Sequence, residues 1–126
     1  MRKIETHKIN VCNEAIEITA YAPDKRYGNA SHVYTCEWLE TSPGAAILQD
    51  VEIKFQRGPI KEVGTNGVTH EVLLAILIDR MEGFQSGQFA CAENATALEL
   101  LRLTLTVLKD RTAKRVERGV EGTNVV

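Results

Sequence analysis

The sequence predicts an α+β protein: a small N-terminal antiparallel sheet packed with a C-terminal antiparallel helical hairpin. Two observations carry this. Apolar and polar residues alternate with period two through the first half, and after a glycine-rich stretch near residue 60 the pattern changes to long runs without a helix breaker. The 126 residues, 44% hydrophobic and 25% charged, suit one folded domain. The expected division is a sheet over 1–57, a connector over 58–68, a hairpin over 69–118 and a tail over 119–126.

Ile4, Thr6 and Lys8 alternate against Lys3, Glu5 and His7, and Ile16, Ile18 and Ala20 alternate with Glu17 and Thr19. Both segments read as strands, joined at a short corner at Asn13-Glu14 that favours an antiparallel pair. Pro23 to Ser31, PDKRYGNAS, collects turn formers and two basic residues and is expected to be an exposed loop. Strand character returns at His32–Leu39 and Asp50–Gln56, separated by a turn at Ser42-Pro43-Gly44.

The connector GPIKEVGTNG spans Gly58 to Gly67. Thr69 then reads as an N-cap and Glu71 as a first-turn acid, followed by a helix that Gly83 is expected to stop. Gly83 to Gln88 reads as a turn, and a second helix is expected from about Ala90 to Arg118, ended by Gly119. Leu98, Leu101, Leu105 and Leu108 make one seam on that helix, whereas Leu100, Leu103 and Val107 lie on other sides. The first helix is apolar on nearly every side as well. One partner element cannot cover so much apolar surface, which predicts a homo-oligomer built on helix contacts.

Charge and cysteine usage narrow the function. A net charge of −2 and a pI near 5.9 give no broad basic surface for a nucleic-acid polymer, although a few arginines in one pocket can still meet a small anion. Cys12, Cys36 and Cys91 have neither disulfide-framework nor zinc spacing, so a reducing compartment is expected and no metal. MRKIETHKIN lacks the apolar core of a secretory signal, and the longest apolar run, Val72 to Ile78, is far short of a membrane span. These features together predict a cytosolic protein with no membrane partner.

His7, His32 and His70 stand in no triad or ligand spacing, and the HExxH, GxSxG and P-loop patterns are missing, so no catalytic residue and no cofactor is assigned. Carboxylate pairs such as Glu40 with Asp50 read as a solvated face. Cys91, at a helix start, reads as a buried structural cysteine rather than an activated thiol. The turn GFQSGQFACAEN places Phe84 and Phe89 beside glycines. Either ring could stack on a nucleobase while Asn94 bonds its edge, or both could close the hydrophobic core, the reading preferred for Phe89. Lys109, Arg111, Lys114, Arg115 and Arg118 crowd the end of the second helix, where cations complement the helix dipole.

The stretch FQRGPIKEVGTNGVTHEVLLAILIDRMEGFQSGQFACAENATALELL, with DRTAKRVERGVEGT after it, resembles the first type of Thoeris anti-defence proteins of phages, strongly from Phe55 to Thr123. The hairpin is also similar to that of phage anti-CBASS proteins that bind cyclic oligonucleotides. The resemblance implies a non-enzymatic sponge in the host cell cytoplasm that sequesters cyclic ADP-ribose isomers made by TIR enzymes. It implies ligand contacts at Phe84, Asn94 and Arg111, with Arg57 and Arg26 of the Lys25-Arg26 loop beside them. A second site for cyclic di- or trinucleotides would use Arg115, Arg118 and Thr123, and a hexamer stands beside the dimer as an expected assembly. Thr65 and His70 depart from the family pattern, in which an apolar residue and an asparagine are expected.

Spacing adds a condition once those residues are accepted. Asn94 and Arg111, seventeen residues apart on one predicted helix, are separated by about 25 Å. A small ligand can touch both only across two antiparallel hairpins, which predicts a site shared between chains and present twice in a two-fold dimer.

Overall fold

The computed structural model describes residues 1–39 and 50–126; the Ser42-Pro43-Gly44 turn and Glu40 lie outside the described residues. The element order is β1 (Arg2–Ile4), α1 (Val11–Glu14), β2 (Ile16–Ala20), β3 (Val33–Trp38), β4 (Val51–Lys54), α2 (Ile60–Val63), α3 (His70–Gln85) and α4 (Ala92–Glu117). The expected α+β class is what the chain forms. It divides into two compact units, Met1–Gly58 with Thr65–Gly67, and Pro59–Gly64 with Val68–Val126.

The first unit is a four-stranded antiparallel sheet in the order β1-β2-β3-β4. Its registers align Ile4 with Ile18 and Cys36, and Ala20 with Tyr34 and Ile53, so one face is apolar. The other face aligns Lys3, Thr19, Thr35 and Glu52. On that face Glu17 stands opposite Glu37, a like-charge pairing that costs stability. Lys3 offsets it by bridging Glu17 at 3.2 Å and Thr19 at 2.8 Å.

Three expectations for the sheet and the connector need correction. The β1–β2 link is no tight corner: Val11–Glu14 forms a helical turn, because the Asn10 side chain caps it by accepting from the Asn13 amide at 2.8 Å. Pro23–Ser31 is not simply an exposed loop. Asp24 and Ser31 are buried, Asp24 N–H donates to Ala30 C=O at 3.0 Å, and Ser31 Oγ donates to Tyr21 C=O at 2.7 Å. Lys25–Tyr27 is a 3-10 turn inside that small hairpin. The connector is also partly structured, since Ile60–Val63 is helical after Pro59, a residue suited to a helix start. Gly67 is required where it stands: a Cβ there would lie 2.4 Å from the Phe55 carbonyl carbon and 2.6 Å from the Gln56 nitrogen.

The second unit is the helical hairpin. Thr69 caps α3 as expected, its Oγ1 accepting from Val72 N–H at 3.3 Å. The helix does not stop at Gly83 but runs through it to Gln85. One glycine costs a helix only about 1 kcal/mol, and the actual stop comes later, where Ser86 Oγ donates to Gly83 C=O at 2.8 Å. At the far end α4 finishes at Glu117 and Gly119 takes φ +71°, the left-handed conformation that ends the helix. No described helix is long and apolar enough to cross a membrane.

The seam Leu98, Leu101, Leu105 and Leu108 faces inward, with Leu98 buried and the others half-buried. Outside it, Leu100, Leu103 and Val107 are 58%, 59% and 59% exposed, and on α3 Val72 and Ile76 are 44% and 58% exposed. Among the described residues only Ala20 and Leu98 count as buried hydrophobics. The chain alone therefore leaves much of its apolar helix surface in water.

Candidate functional site

The hairpin turn is built by a side chain that imitates backbone. Gln85, last residue of α3, accepts from Cys91 N–H at 3.1 Å through Oε1 and donates to Cys91 C=O at 3.2 Å through Nε2. This double bond closes the turn and sets where α4 begins. Cys91 is then the N-cap, its Sγ accepting from Asn94 N–H at 3.4 Å, and it is exposed. The expectation of a buried structural cysteine fails for that reason: an N-cap stands outside the helix, ahead of its buried face.

Inside this frame the aromatic pair takes shape. Phe84 is half-buried in the last turn of α3, and Phe89 meets it edge to face with centroids 6.1 Å apart and planes at 76°. Phe89 is 63% exposed, so it does not close the core of this chain. Its position in the turn, beyond the end of α3, keeps it off the helix seam. Asn94 joins the pair, its Nδ2 donating to Phe89 C=O at 3.4 Å. Arg80, which the sequence reading did not single out, covers the Phe84 ring with its guanidinium carbon 4.9 Å from the centroid. The signal for it was present in the four-residue spacing of Arg80 and Phe84. Phe84 and Asn94 are thus brought to one end of the hairpin.

Arg111 lies towards the other end of α4. Seventeen residues of unbroken helix separate it from Asn94, about 25 Å at the α-helical rise. It is exposed, with no hydrogen bond or ion pair to a described residue. On the helix it follows Val107 by four residues, so it continues the exposed apolar line of Leu100, Leu103 and Val107.

Arg115, on the buried side, is spent differently. Its side chain is 12% exposed and it donates to Glu121 at 3.1 Å and to the carbonyls of Val120, Thr123 and Val125 at 3.0, 3.2 and 2.7 Å. Thr123 Oγ1 donates to Val120 C=O, and Arg118 donates to Val126 C=O at 2.8 Å. The three residues of the expected second site are therefore joined by the fold of the tail. Four of the five guanidinium hydrogens of Arg115 are committed to it.

In the sheet unit Arg26 and Arg57 converge on one carboxylate. Arg26 Nε and Nη2 donate to the two Asp24 oxygens at 3.2 and 3.1 Å, and its backbone N–H adds a bond of 3.0 Å. Arg57 Nε donates to Asp24 Oδ2 at 3.0 Å, and its Nη2 reaches the same oxygen. Asn66 fixes the Arg57 backbone by accepting its N–H at 2.8 Å and donating to its C=O at 2.7 Å. The hydrogen bonds from Arg26 first, and from Arg57 next, hold the Asp24 carboxyl far below the usual carboxylate range. Asp24 is 8% exposed while the two arginines are 72% and 49% exposed, so the cluster turns a net positive charge outward. A separate shallow depression of about 360 Å³ lies on the polar sheet face, lined by residues such as Lys3, Thr19, Thr35 and Glu37, and holds none of the expected site residues.

The hairpin thus carries an aromatic turn, exposed arginines and exposed apolar faces. Residues 48–105 match the model of the Acb2/Tad1 hairpin domain family. The chain is similar to Thoeris anti-defense 1 of Bacillus phage SBSphiJ7, 49% identical over 72 residues, 57% of this chain and 51% of that protein. It spans about half the length of that relative.

Proposed function

We propose that the protein is a phage anti-defence sponge that binds a cyclic nucleotide signal and withholds it without cleaving it. The observation that carries this is the similarity to a Thoeris anti-defense protein, joined to an aromatic turn that can take a base. The ligand is a cyclic ADP-ribose isomer, glycocyclic ADP-ribose, made by the TIR enzymes of Thoeris immunity in the host cell cytoplasm. Its base stacks on Phe84, Asn94 bonds the base edge, and Arg111 of a second copy meets the diphosphate. Arg26 and Arg57 supply further cations. The 25 Å between Asn94 and Arg111, and the apolar line that runs into Arg111, support a site assembled between copies. The assembly is a dimer or a hexamer. Cyclic di- or trinucleotides would occupy the tail region at Arg118 and Thr123, beside an Arg115 already engaged.

A signal that must be kept from a receptor calls for roughly nanomolar affinity. Incubation with glycocyclic ADP-ribose followed by heat denaturation tests the proposal. Intact signal recovered in the supernatant is the expected result, and a hydrolysed product sinks it. Phe84→Ala and Arg111→Ala should each weaken capture about 100-fold or more by calorimetry, with the far-ultraviolet circular dichroism unchanged. Unchanged capture in either would move the site elsewhere.

A further inference from the structure

Arg80 is the cation against the aromatic turn, and the proposed contacts leave it unused. It precedes Phe84 by one helical turn, and the backward tilt of helical side chains lays the ring against it. Its guanidinium carbon stands 4.9 Å from the ring centroid, yet the side chain is exposed and has no hydrogen bond or ion pair to a described residue. The neighbouring Glu82 carboxylate is taken up by Arg102 at 2.9 Å. The turn beneath is fixed by the Gln85 bonds to Cys91, so the ring is held while the cation above it is tethered only by its own stem. A flat group approaching the covered ring face meets Arg80 first.

The geometry points to Arg80 as an anion-recognition residue of the aromatic site: a base stacking on Phe84 displaces the guanidinium, which then hydrogen-bonds a phosphate oxygen of the same ligand. This rests on the reading of Phe84 as the base platform. An exposed cation–aromatic contact is weak, so a stacking base can replace it. The displaced group carries five unspent donors in a planar fork that matches a phosphate. It starts at the ring, so the phosphate it meets is one joined to the stacked nucleoside. A guanidinium that merely covers the ring would act in the opposite sense, competing with the base and weakening capture.

Calorimetry and dissociation rates with glycocyclic ADP-ribose decide between them. Arg80→Ala and Arg80→Gln should each weaken capture about 10-fold, chiefly through faster release, with Arg80→Lys intermediate. The gap between wild type and Arg80→Gln should shrink as sodium chloride is raised, which loss of packing alone would not produce. Arg80→Gln keeps the stem and guards against a folding defect in the alanine variant. Capture equal to or tighter than wild type in both, with Phe84→Ala still defective, overturns the role of Arg80 alone. Unchanged capture in Phe84→Ala overturns it together with the platform.

Discussion

Arg26 and Arg57 of the sheet unit and Arg80 and Arg111 of the hairpin unit stand in opposite surroundings. In the sheet, Arg26 and Arg57 are locked onto the buried Asp24, whose carboxylate satisfies several donors at once. In the hairpin, Arg80 and Arg111 stand exposed without a carboxylate, while Arg115, one turn beyond Arg111, is consumed by the tail. The first arrangement orients cations before any ligand arrives. The second leaves the cations exposed, with no carboxylate among the described residues to satisfy their donors. In the proposed site the unpaired arginines gain most from the ligand, because their donors exchange only water for phosphate.

The largest effect is expected from the surface that would bring Arg111 to a second copy. Leu103 is exposed at the middle of the outer line on α4, so Leu103→Glu should leave each chain folded. It should nevertheless break the oligomer and reduce capture about 100-fold, seen together in sedimentation velocity and calorimetry. Tight capture by a monomeric Leu103→Glu protein would show that one hairpin suffices and would remove the argument from helix length.

On the sheet side the expected effect is on stability. Asp24→Asn keeps an oxygen to cap the Lys25–Tyr27 turn but removes the charge that both arginines share. The midpoint of thermal unfolding should fall by several degrees at pH 7. The sign of the pH dependence follows from the depressed carboxyl. In the unfolded chain the group titrates near the ordinary value of about 3.9. In the folded chain it stays ionised far below that, so its stabilisation is full above roughly pH 5 and fades as pH falls further. Wild type and Asp24→Asn should therefore differ by a constant amount between pH 5 and 8 and converge in acid. A gap that persists undiminished to pH 2 would place the effect in packing.

These contrasts also show how far the sequence could be read. The hairpin was legible because its signals are local: Thr69 as N-cap, Gly119 as stop, the leucine seam at spacings of three and four. The sheet was legible from alternation in β2, whereas β1 ends at Ile4, where the alternation read from Ile4 to Lys8 only begins; it still pairs antiparallel with β2, although a helical turn replaces the tight corner. What escaped were partnerships across sequence distance. Asp24 looks like a loop residue until Arg57, thirty-three positions away, is found on it. Arg115 looks like a dipole-complementing cation until the tail folds back onto it. Cys91 and Phe89 were misread because a turn closed by Gln85 keeps both outside the helix seam. The aromatic end of the candidate site was visible as composition. Its covering cation was not.

The smallest effect concerns Gly83, where the sequence pointed to a stop and the helix continues. Its own chain gives no reason for a glycine, since a Cβ there would meet nothing within 4 Å. At spacings of four and seven it falls on the same side of α3 as the exposed Val72 and Ile76. Gly83→Ala should stabilise the dissociated chain by about 0.5–1 kcal/mol through helix propensity alone. If a second copy closes on this side of α3, the added methyl group lies between two backbones, and the oligomer should dissociate at higher protein concentration than wild type. A dilution series by sedimentation, read beside thermal unfolding, separates the two contributions. A more stable chain with unchanged assembly would assign the close approach to the Leu100, Leu103 and Val107 line on α4 and leave the α3 side facing water.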